Sequence, residues 1–131
     1  MSGIKIRGTG SYSPENIVSN DDFAKIVETS DEWISTRTGI KTRHIADGDT
    51  AWSMGKEAAL RALKNADMSA EEVDLLLVTT VTPDYYTPSV SCVIQGEIGA
   101  VNAACIDLSC ACAGFVYAMD MAHRYLSCPD I

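Results

Sequence analysis

Residues 101–125 read VNAACIDLSCACAGFVYAMDMAHRY, and within this stretch an apolar strand pattern passes directly into an apolar helix pattern. We predict a strand over residues 101–108 and a helix that runs from Cys112 toward Tyr125. The helix pattern is apolar nearly all round, which is typical of a buried helix. A strand followed at once by a buried helix favours an α/β fold.

The rest of the chain continues this alternation of strands and helices. A short strand is predicted over residues 4–8, and the apolar, β-branched run of residues 75–81 is typical of a strand buried on both faces. Residues that favour helix N-caps predict helix starts at Asn20, Ser30, Thr50 and Thr87. Glycines typical of helix ends predict C-termini at Gly39 and Gly99. Such alternation predicts an α/β architecture with a largely parallel sheet.

Length and composition restrict the class of protein. At 131 residues, with 47% hydrophobic and 21% charged residues, the chain is expected to form one globular domain. Its net charge of −8 argues against nucleic acid or an anionic membrane as a general partner. The N-terminus lacks the apolar core of a signal peptide, and no apolar run approaches membrane-spanning length. The five cysteines are odd in number and lie mostly in apolar surroundings, so we expect a cytoplasmic protein with reduced thiols.

Cys112 lies where the predicted strand gives way to the predicted helix. There the first helical amides lack partners and the helix dipole places partial positive charge, so a thiol ionises more easily and becomes a nucleophile. The same amides can stabilise an oxyanion when the thiolate attacks a carbonyl. Gly114 removes a side chain nearby, which lets a substrate or another element approach the backbone. This setting favours a catalytic thiol over a buried structural one, the usual role of a free cysteine.

Four segments of the chain form a recognisable set: IRGTGSY at residues 6–12, TSDEWI at residues 29–34, TRTGI at residues 36–40 and ACAGF at residues 111–115. In order and in spacing, they resemble the N-terminal part of β-ketoacyl-acyl-carrier-protein synthase III, the initiating condensing enzyme of type II fatty-acid synthesis. The resemblance implies an α/β fold of the thiolase-like, layered α/β/α type. It also implies that residues 1–131 are an N-terminal domain that stops before the first half of that fold is complete, which would leave the first strand as an unpaired sheet edge.

The resemblance further implies roles for individual residues. Cys112 matches the nucleophile that accepts the acyl group. Trp33 and Arg37 match residues that sandwich the adenine of coenzyme A, and Thr29 matches a neighbour of that site. An indole and a guanidinium offer flat faces for a purine, and arginine also suits phosphate. Thr87 falls where some members place a phenylalanine that reaches into the partner subunit's acyl pocket, so the smaller threonine is expected to admit branched or longer primers.

The implied activity is acyl transfer from acyl-coenzyme A to the cysteine, followed by decarboxylative condensation with malonyl-acyl-carrier protein. The resemblance implies a homodimer and no cofactor beyond these substrates. The family takes its catalytic histidine and asparagine from the C-terminal half, and neither His44 nor His123 matches that histidine. The chain alone is therefore expected to be inactive in the condensation.

Two alternatives stay open for the function. The same motifs serve related condensing enzymes of polyketide or other secondary metabolism. In a different class, the chain is a non-catalytic thiol-sensing or interaction module. Cys110 stands where family members often carry alanine, so we expect a small buried side chain there. A redox pair with Cys112 is less favoured on geometric grounds, and no metal site is predicted, because no cysteine and histidine cluster at ligand spacing accompanies the pair.

Overall fold

The computed structural model describes residues 4–128, which divide into two compact units. The smaller unit is Ser13–Asp49, and the larger unit contains the other described residues. Two 3-10 turns, Ala70–Glu72 and Ala111–Ala113, belong to the larger unit. The strands and helices are β1 (Ile17–Ser19), α1 (Asn20–Phe23), α2 (Asp31–Thr38), β2 (Thr42–His44), α3 (Ala51–Ala66), β3 (Leu75–Thr79), α4 (Val90–Ile98), β4 (Ala104–Leu108) and α5 (Gly114–Leu126).

The smaller unit contains an antiparallel pair of short strands, β1 and β2, in which Val18 lies opposite Arg43. Neither strand was predicted, because such short segments carry no readable alternation of apolar and polar residues. Helix α2 follows its predicted boundaries. Ser30 accepts a hydrogen bond from the Trp33 amide at its start, and Gly39 ends it with a φ of 74°.

The predicted N-cap at Asn20 is wrong, because Ser19 caps α1 with its hydroxyl group. Asn20 is instead 1% exposed and lies at the centre of a hydrogen-bond network. Its Nδ2 donates to Asp31 Oδ1 and to the Ile40 carbonyl, both at 2.8 Å, and its Oδ1 accepts from Arg43 Nη2 at 2.9 Å. A buried amide with these partners holds three separate segments of the smaller unit together.

In the larger unit, β3 and β4 are parallel neighbours, which confirms the predicted parallel pairing. Leu75 pairs in register with Ala104 at one end of the ladder, and Thr79 with Leu108 at the other. Both strands are shorter than predicted. Residues 75–78 of β3 are half-buried and Thr79 is exposed, so the strand is not enclosed on both faces as predicted.

The buried core of the larger unit lies where α4 packs against α3 and β4. Val90 and Ile94 of α4 are among its most buried side chains. Gly55 of α3 approaches α4 so closely that a β-carbon there would lie 2.7 Å from Ile94 Cδ1. Thr50 caps α3 as predicted, by accepting a hydrogen bond from the Ser53 amide.

Helix α4 begins later than the predicted N-cap at Thr87. Its N-cap is Ser89, whose Oγ accepts a hydrogen bond from the Cys92 amide. The carboxylate of Asp107, on β4, accepts the amides of Val90 and Ser91 at 2.7 and 2.8 Å. Since this second cap comes from a residue far along the chain, no local pattern around Thr87 indicated it.

The predicted strand over residues 4–8 is absent, because none of the residues 4–128 pairs with it as a neighbouring strand. The segment instead runs extended against α3. A β-carbon at Gly8 would lie 2.6 Å from the Ala62 carbonyl oxygen, and Thr9 donates its amide hydrogen to Asn65 Oδ1 at 3.0 Å. The lack of a side chain at Gly8 therefore lets this segment pack directly against the α3 backbone.

Helix α5 is not the buried helix that its apolar sequence predicted. Only Gly114 is buried, whereas Phe115 and Val116 are 72% and 68% exposed. Strand β3 packs against one side of the helix, and these two side chains project away from it. The predicted interruption of the domain falls on residues 129–131, which lie outside the described residues. Within residues 4–128, no helix has both the length and the apolar character needed to cross a bilayer.

Candidate active site

Cys112 lies in the 3-10 turn Ala111–Ala113, between the end of β4 and the start of α5, and it is exposed to solvent. The predicted helix start at Cys112 is slightly early, since α5 begins at Gly114. The turn is closed by the Ala113 amide, which donates to the Cys110 carbonyl at 3.0 Å. A thiol at this position is accessible to a substrate and precedes the helix N-terminus by a single turn.

The backbone around Cys112 has two unusual features. Ala111 has a φ of 45°, in the left-handed region that residues with a β-carbon rarely adopt. Among the described residues, no side chain caps the N-terminus of α5, where Ala113 occupies the N-cap position. The Gly114 amide donates to the Ala111 carbonyl, so it is not free to bind a ligand. The helix dipole still places partial positive charge at this end of α5, close after Cys112 in the chain.

Gly114 fixes the position of this turn against the sheet. A β-carbon at Gly114 would lie 2.8 Å from Thr79 Cβ and 3.2 Å from Thr79 Oγ1. The first residue of α5 thus contacts the last residue of β3 without a side chain between them. The predicted close approach at Gly114 is present, and the approaching element is this strand.

The carboxyl ends of β3 and β4 open into a cavity of about 230 Å³ that sequence analysis missed. Its lining includes Thr80 and Ser109, which follow the two strands, and the side chains of Tyr85 and Tyr86. Carboxyl ends of adjacent parallel strands are where α/β proteins commonly bind ligands. The signal was available in the sequence, because Tyr85 and Tyr86 lie in the short segment that follows a predicted buried strand.

Thr87 follows these tyrosines in an exposed loop before α4. Tyr86 beside it is fully exposed. The structure therefore places the predicted acyl-pocket position on a protruding segment that carries a large aromatic side chain immediately before the threonine.

Trp33 and Arg37 lie one turn apart on α2 in the smaller unit. The Arg37 guanidinium carbon lies 4.9 Å from the centre of the Trp33 ring, and the tryptophan is 54% exposed. Thr29 is half-buried and lines an open cavity of about 290 Å³ with Glu28, Ser30 and Trp33. The three residues predicted to bind coenzyme A are thus brought together, and the indole and guanidinium stack on each other.

The remaining predicted groups have structural partners. His44 makes a hydrogen-bond contact with the Pro14 carbonyl. Asp120 and Arg124, four residues apart on α5, form an exposed ion pair of 2.8 Å. Cys110 is half-buried and forms no disulfide. Among residues 4–128, no three histidine, cysteine or acidic side chains are grouped so that they could hold a metal ion.

Comparison with known proteins is consistent with this geometry. No protein-family model matches the chain. Over 126 residues, 96% of its length, the chain is 52% identical to β-ketoacyl-[acyl-carrier-protein] synthase III of Clostridium acetobutylicum, and it is equally similar to that of Clostridium botulinum. It covers 39% of each of these relatives.

Solved structures give the same result. The 3-oxoacyl-[acyl-carrier-protein] synthase III from Aquifex aeolicus superposes with a TM-score of 0.93 at 47% identity, over 95% of this chain and 41% of that one. The priming β-ketosynthase of the R1128 polyketide pathway gives 0.87 at 44% identity, over 90% and 36%. OleA from Xanthomonas campestris, in its H285N form, gives 0.84 at 26% identity, over 96% and 40%.

These superpositions define the class of protein, which is the thiolase fold. Within that class, the chain is a homologue of β-ketoacyl-acyl-carrier-protein synthase III, which confirms the resemblance found in the sequence. The chain spans about 39% of the length of the curated relatives it matches.

Proposed function

We propose that the protein to which this chain belongs performs the initiating condensation of fatty-acid biosynthesis. The single observation that carries the proposal is the exposed Cys112 thiol in the turn that precedes the uncapped N-terminus of α5. The similarity to synthases over 96% of the chain supports the reaction class. The activity is proposed for the whole protein, of which the domain formed by residues 1–131 is the N-terminal, thiolase-like part.

In the first half-reaction, the Cys112 thiolate attacks the carbonyl carbon of an acyl-coenzyme A thioester. A bond forms between Cys112 Sγ and that carbon, the bond to the coenzyme A sulfur breaks, and coenzyme A leaves as the thiol. The amides at the start of α5 stabilise the negative charge that develops on the carbonyl oxygen. The left-handed backbone at Ala111 orients the thiol toward those amides.

In the second half-reaction, malonyl-acyl-carrier protein loses carbon dioxide and its carbanion attacks the acyl-cysteine carbonyl. The resemblance assigns this step to a histidine and an asparagine of the family's C-terminal half. Residues 1–131 therefore accept an acyl group but do not condense it. No cofactor is proposed beyond the two thioester substrates.

Binding of coenzyme A is proposed for Trp33, Arg37 and Thr29. The exposed indole offers a face for the adenine ring, and the guanidinium on its other side adds positive charge for phosphate. Thr29 lines the open cavity beside the indole.

A homodimer and a cytoplasmic location are also proposed. The exposed loop with Tyr86 and Thr87 supports a contact between subunits, since an exposed aromatic side chain is typical of interfaces. The five cysteines form no disulfide, which favours a reducing compartment. Thr87, being smaller than phenylalanine, is proposed to admit branched or longer primers.

A second candidate is a related condensing enzyme of secondary metabolism. The observation that favours it is the superposition with the R1128 priming β-ketosynthase at 44% identity, close to the identity with the Aquifex enzyme. The non-catalytic module is a third class, supported by the exposed apolar side of α5. Measured preference for the primer and for the carrier protein distinguishes the fatty-acid enzyme from the secondary-metabolism enzyme. A protein that transfers no acyl group would be the non-catalytic module.

The proposal is tested by supplying acetyl-coenzyme A and malonyl-acyl-carrier protein to the 131-residue chain and to the whole protein. We expect a ketoacyl product from the whole protein, loss of that product in its Cys112→Ala variant, and none from the chain alone. Cys128→Ala is the matched control, because Cys128 is also an exposed cysteine of this chain. Equal loss in both variants, or undiminished condensation by Cys112→Ala, contradicts the assignment.

A further inference from the structure

Two cysteines outside the candidate active site, Cys92 on α4 and Cys105 on β4, are brought near each other by the fold. The Cys105 thiol lies 3.7 Å from the Ser91 carbonyl oxygen, and Ser91 is the residue before Cys92. Cys92 is near enough to Cys105 to add, after burial, to the raised pKa of the Cys105 thiol. Cys92 is exposed, whereas Cys105 is half-buried beneath the helix.

Two tethers hold this pair in register. At one end, Asp107 on β4 accepts the amides of Val90 and Ser91, and at the other, Gln95 donates its side-chain amide to the Ala103 carbonyl at 2.8 Å. Residues 103, 105 and 107 alternate along the strand, so Cys105 and Asp107 point to the same face. Cys92 lies three residues before Gln95 and therefore on the same side of the helix. The pair is thus enclosed between two fixed contacts.

We propose that Cys92 and Cys105 form a dithiol modification site, which a low-molecular-weight disulfide such as oxidised glutathione converts into an intrachain disulfide. The site is separate from Cys112, and the inference does not rest on the proposed acyl transfer. Exposure at Cys92 admits the oxidant, and the nearby Cys105 supplies the second sulfur. A lone exposed cysteine would stop at the mixed disulfide, whereas this pair proceeds beyond it.

The proposed reaction is two successive thiol–disulfide exchanges. The Cys92 thiolate attacks one glutathione sulfur, the glutathione S–S bond breaks, and one glutathione leaves as thiol. Cys105 then gives its proton to solvent, its sulfur attacks Cys92 Sγ, and the second glutathione leaves. Both cysteines lose their hydrogens, and one glutathione disulfide is reduced to two thiols.

The environment of the two sulfurs sets the order of these steps. Burial raises the pKa of the Cys105 thiol to about 11, and the neighbouring Cys92 adds to the rise. At neutral pH, Cys105 is therefore a poor first attacker, and ring closure by Cys105 is the slower step. We expect the rate of closure to increase as the pH rises toward that value.

The test is to treat the reduced 131-residue chain with oxidised glutathione, alkylate the remaining thiols, and map the peptides without reduction. Cleavage after Glu97 separates Cys92 from the other cysteines, and cleavage after Asp107 then separates Cys105 from Cys110 and Cys112. We expect a linked pair of peptides that contain Cys92 and Cys105. The other three of the five cysteines should appear in peptides that are not linked to one another.

Cys92→Ser changes an exposed side chain and is expected to abolish the linked peptides, whereas Cys128→Ser should leave them unchanged. Cys105→Ser should trap glutathione on Cys92. A disulfide between Cys110 and Cys112, or glutathione that stays on Cys92 in the unaltered chain without a linked product, overturns the proposal. So does a linked product that survives Cys92→Ser.

Discussion

Gly114 at the start of α5 lies directly against Thr79 at the end of β3, so that a β-carbon on the glycine would come within 2.8 Å of the threonine β-carbon. This contact joins the sheet to the helix that follows the candidate nucleophile. The contact requires that residue 114 lack a β-carbon. Thr79 belongs to a strand and cannot move aside without moving its neighbours. The position of Cys112 is therefore coupled to the packing of a strand more than 30 residues earlier in the chain.

Gly114→Ala should destabilise the protein and impair the site. The added methyl group forces α5 away from β3, at a cost of about 1–3 kcal/mol of unfolding free energy. Urea denaturation measures the stability, and mass spectrometry measures the fraction of Cys112 that acyl-coenzyme A modifies. Gly96→Ala is the matched control, because its β-carbon would meet no atom within 4 Å and it lies inside a helix. The unfolding free energy of Gly96→Ala should rise by about 0.5–1 kcal/mol. An equal loss of stability in both variants would count against the role of the Gly114–Thr79 contact.

Cys105 should be the least reactive of the cysteines toward iodoacetamide at neutral pH. Burial, with Cys92 as a further cause, raises its pKa from an ordinary 9.0 to about 11, so little thiolate is present. Because this pKa is higher in the folded protein, the neutral thiol contributes stability that is present below pH 9.0 and is lost as the pH rises toward 11. Peptide mapping of alkylation against pH measures the effect. Early labelling of Cys105, ahead of exposed Cys112, is the contrary outcome.

Asn20→Ala should destabilise the smaller unit strongly. The substitution removes the acceptor of Arg43 and the donor to Asp31 in a buried position, where lost partners cost roughly 1–3 kcal/mol each. Thermal and urea unfolding measure the loss. Asn102→Ala is the control, since the Asn102 side chain is exposed and donates a hydrogen bond to the Glu71 carbonyl. An equal loss of unfolding free energy in Asn20→Ala and Asn102→Ala would show that the buried Asn20 network contributes no more than an exposed hydrogen bond.

Asp31 should make the stability of the smaller unit sensitive to acid. Hydrogen bonds from Asn20, then from Ser35 and Lys41, hold the pKa of this carboxyl below its ordinary 3.8. The Asp31 carboxylate therefore contributes fully to stability at pH values above its ordinary pKa, and this stability is lost as the pH falls through the lowered pKa. Urea midpoints measured between neutral pH and pH 2 should fall less steeply in Asp31→Asn than in the unaltered chain. Parallel curves would show that the carboxylate is not coupled to folding.

Trp33→Ala should weaken binding of coenzyme A by about tenfold or more. Stacking of a base on an aromatic side chain contributes roughly 1–3 kcal/mol. Arg37→Ala should weaken binding as well and should reduce its dependence on salt, because a charge opposite phosphate is lost. Titration calorimetry on the whole protein measures both. Arg124→Ala, an exposed arginine paired with Asp120, is the control and should bind normally. Unchanged affinity in Trp33→Ala removes the tryptophan from the nucleotide site.

The parts of the fold that sequence analysis predicted are those fixed by local chemistry. Ser30 and Thr50 cap the helices that follow them, and Gly39 ends α2 in the left-handed conformation, because each device acts within a few residues. The start of α4 was missed because its second cap is Asp107, which lies on β4. Asn20 was misread for the same reason, since its partners are dispersed along the smaller unit.

Burial could not be predicted in the same way. The sequence of α5 is apolar nearly all round, yet Phe115 and Val116 are exposed, because burial depends on which elements cover a helix and not on its own composition. At the site, the position of Cys112 after a strand was readable from the pattern. The left-handed φ of Ala111 was not, since alanine gives no local signal for it. The resemblance to a known family assigned Trp33 and Arg37 to one nucleotide site, but it gave no sign that the two side chains stack on each other.

Mass spectrometry of the chain after incubation with acetyl-coenzyme A tests the central assignment most directly. The account predicts one acetyl group per chain, located on Cys112 by peptide mapping, with release of an equal amount of free coenzyme A. Cys112→Ala should stay unmodified, and Cys128→Ala should acquire the acetyl group as before. An unmodified chain, or acetylation spread over the exposed cysteines without preference for Cys112, contradicts the account.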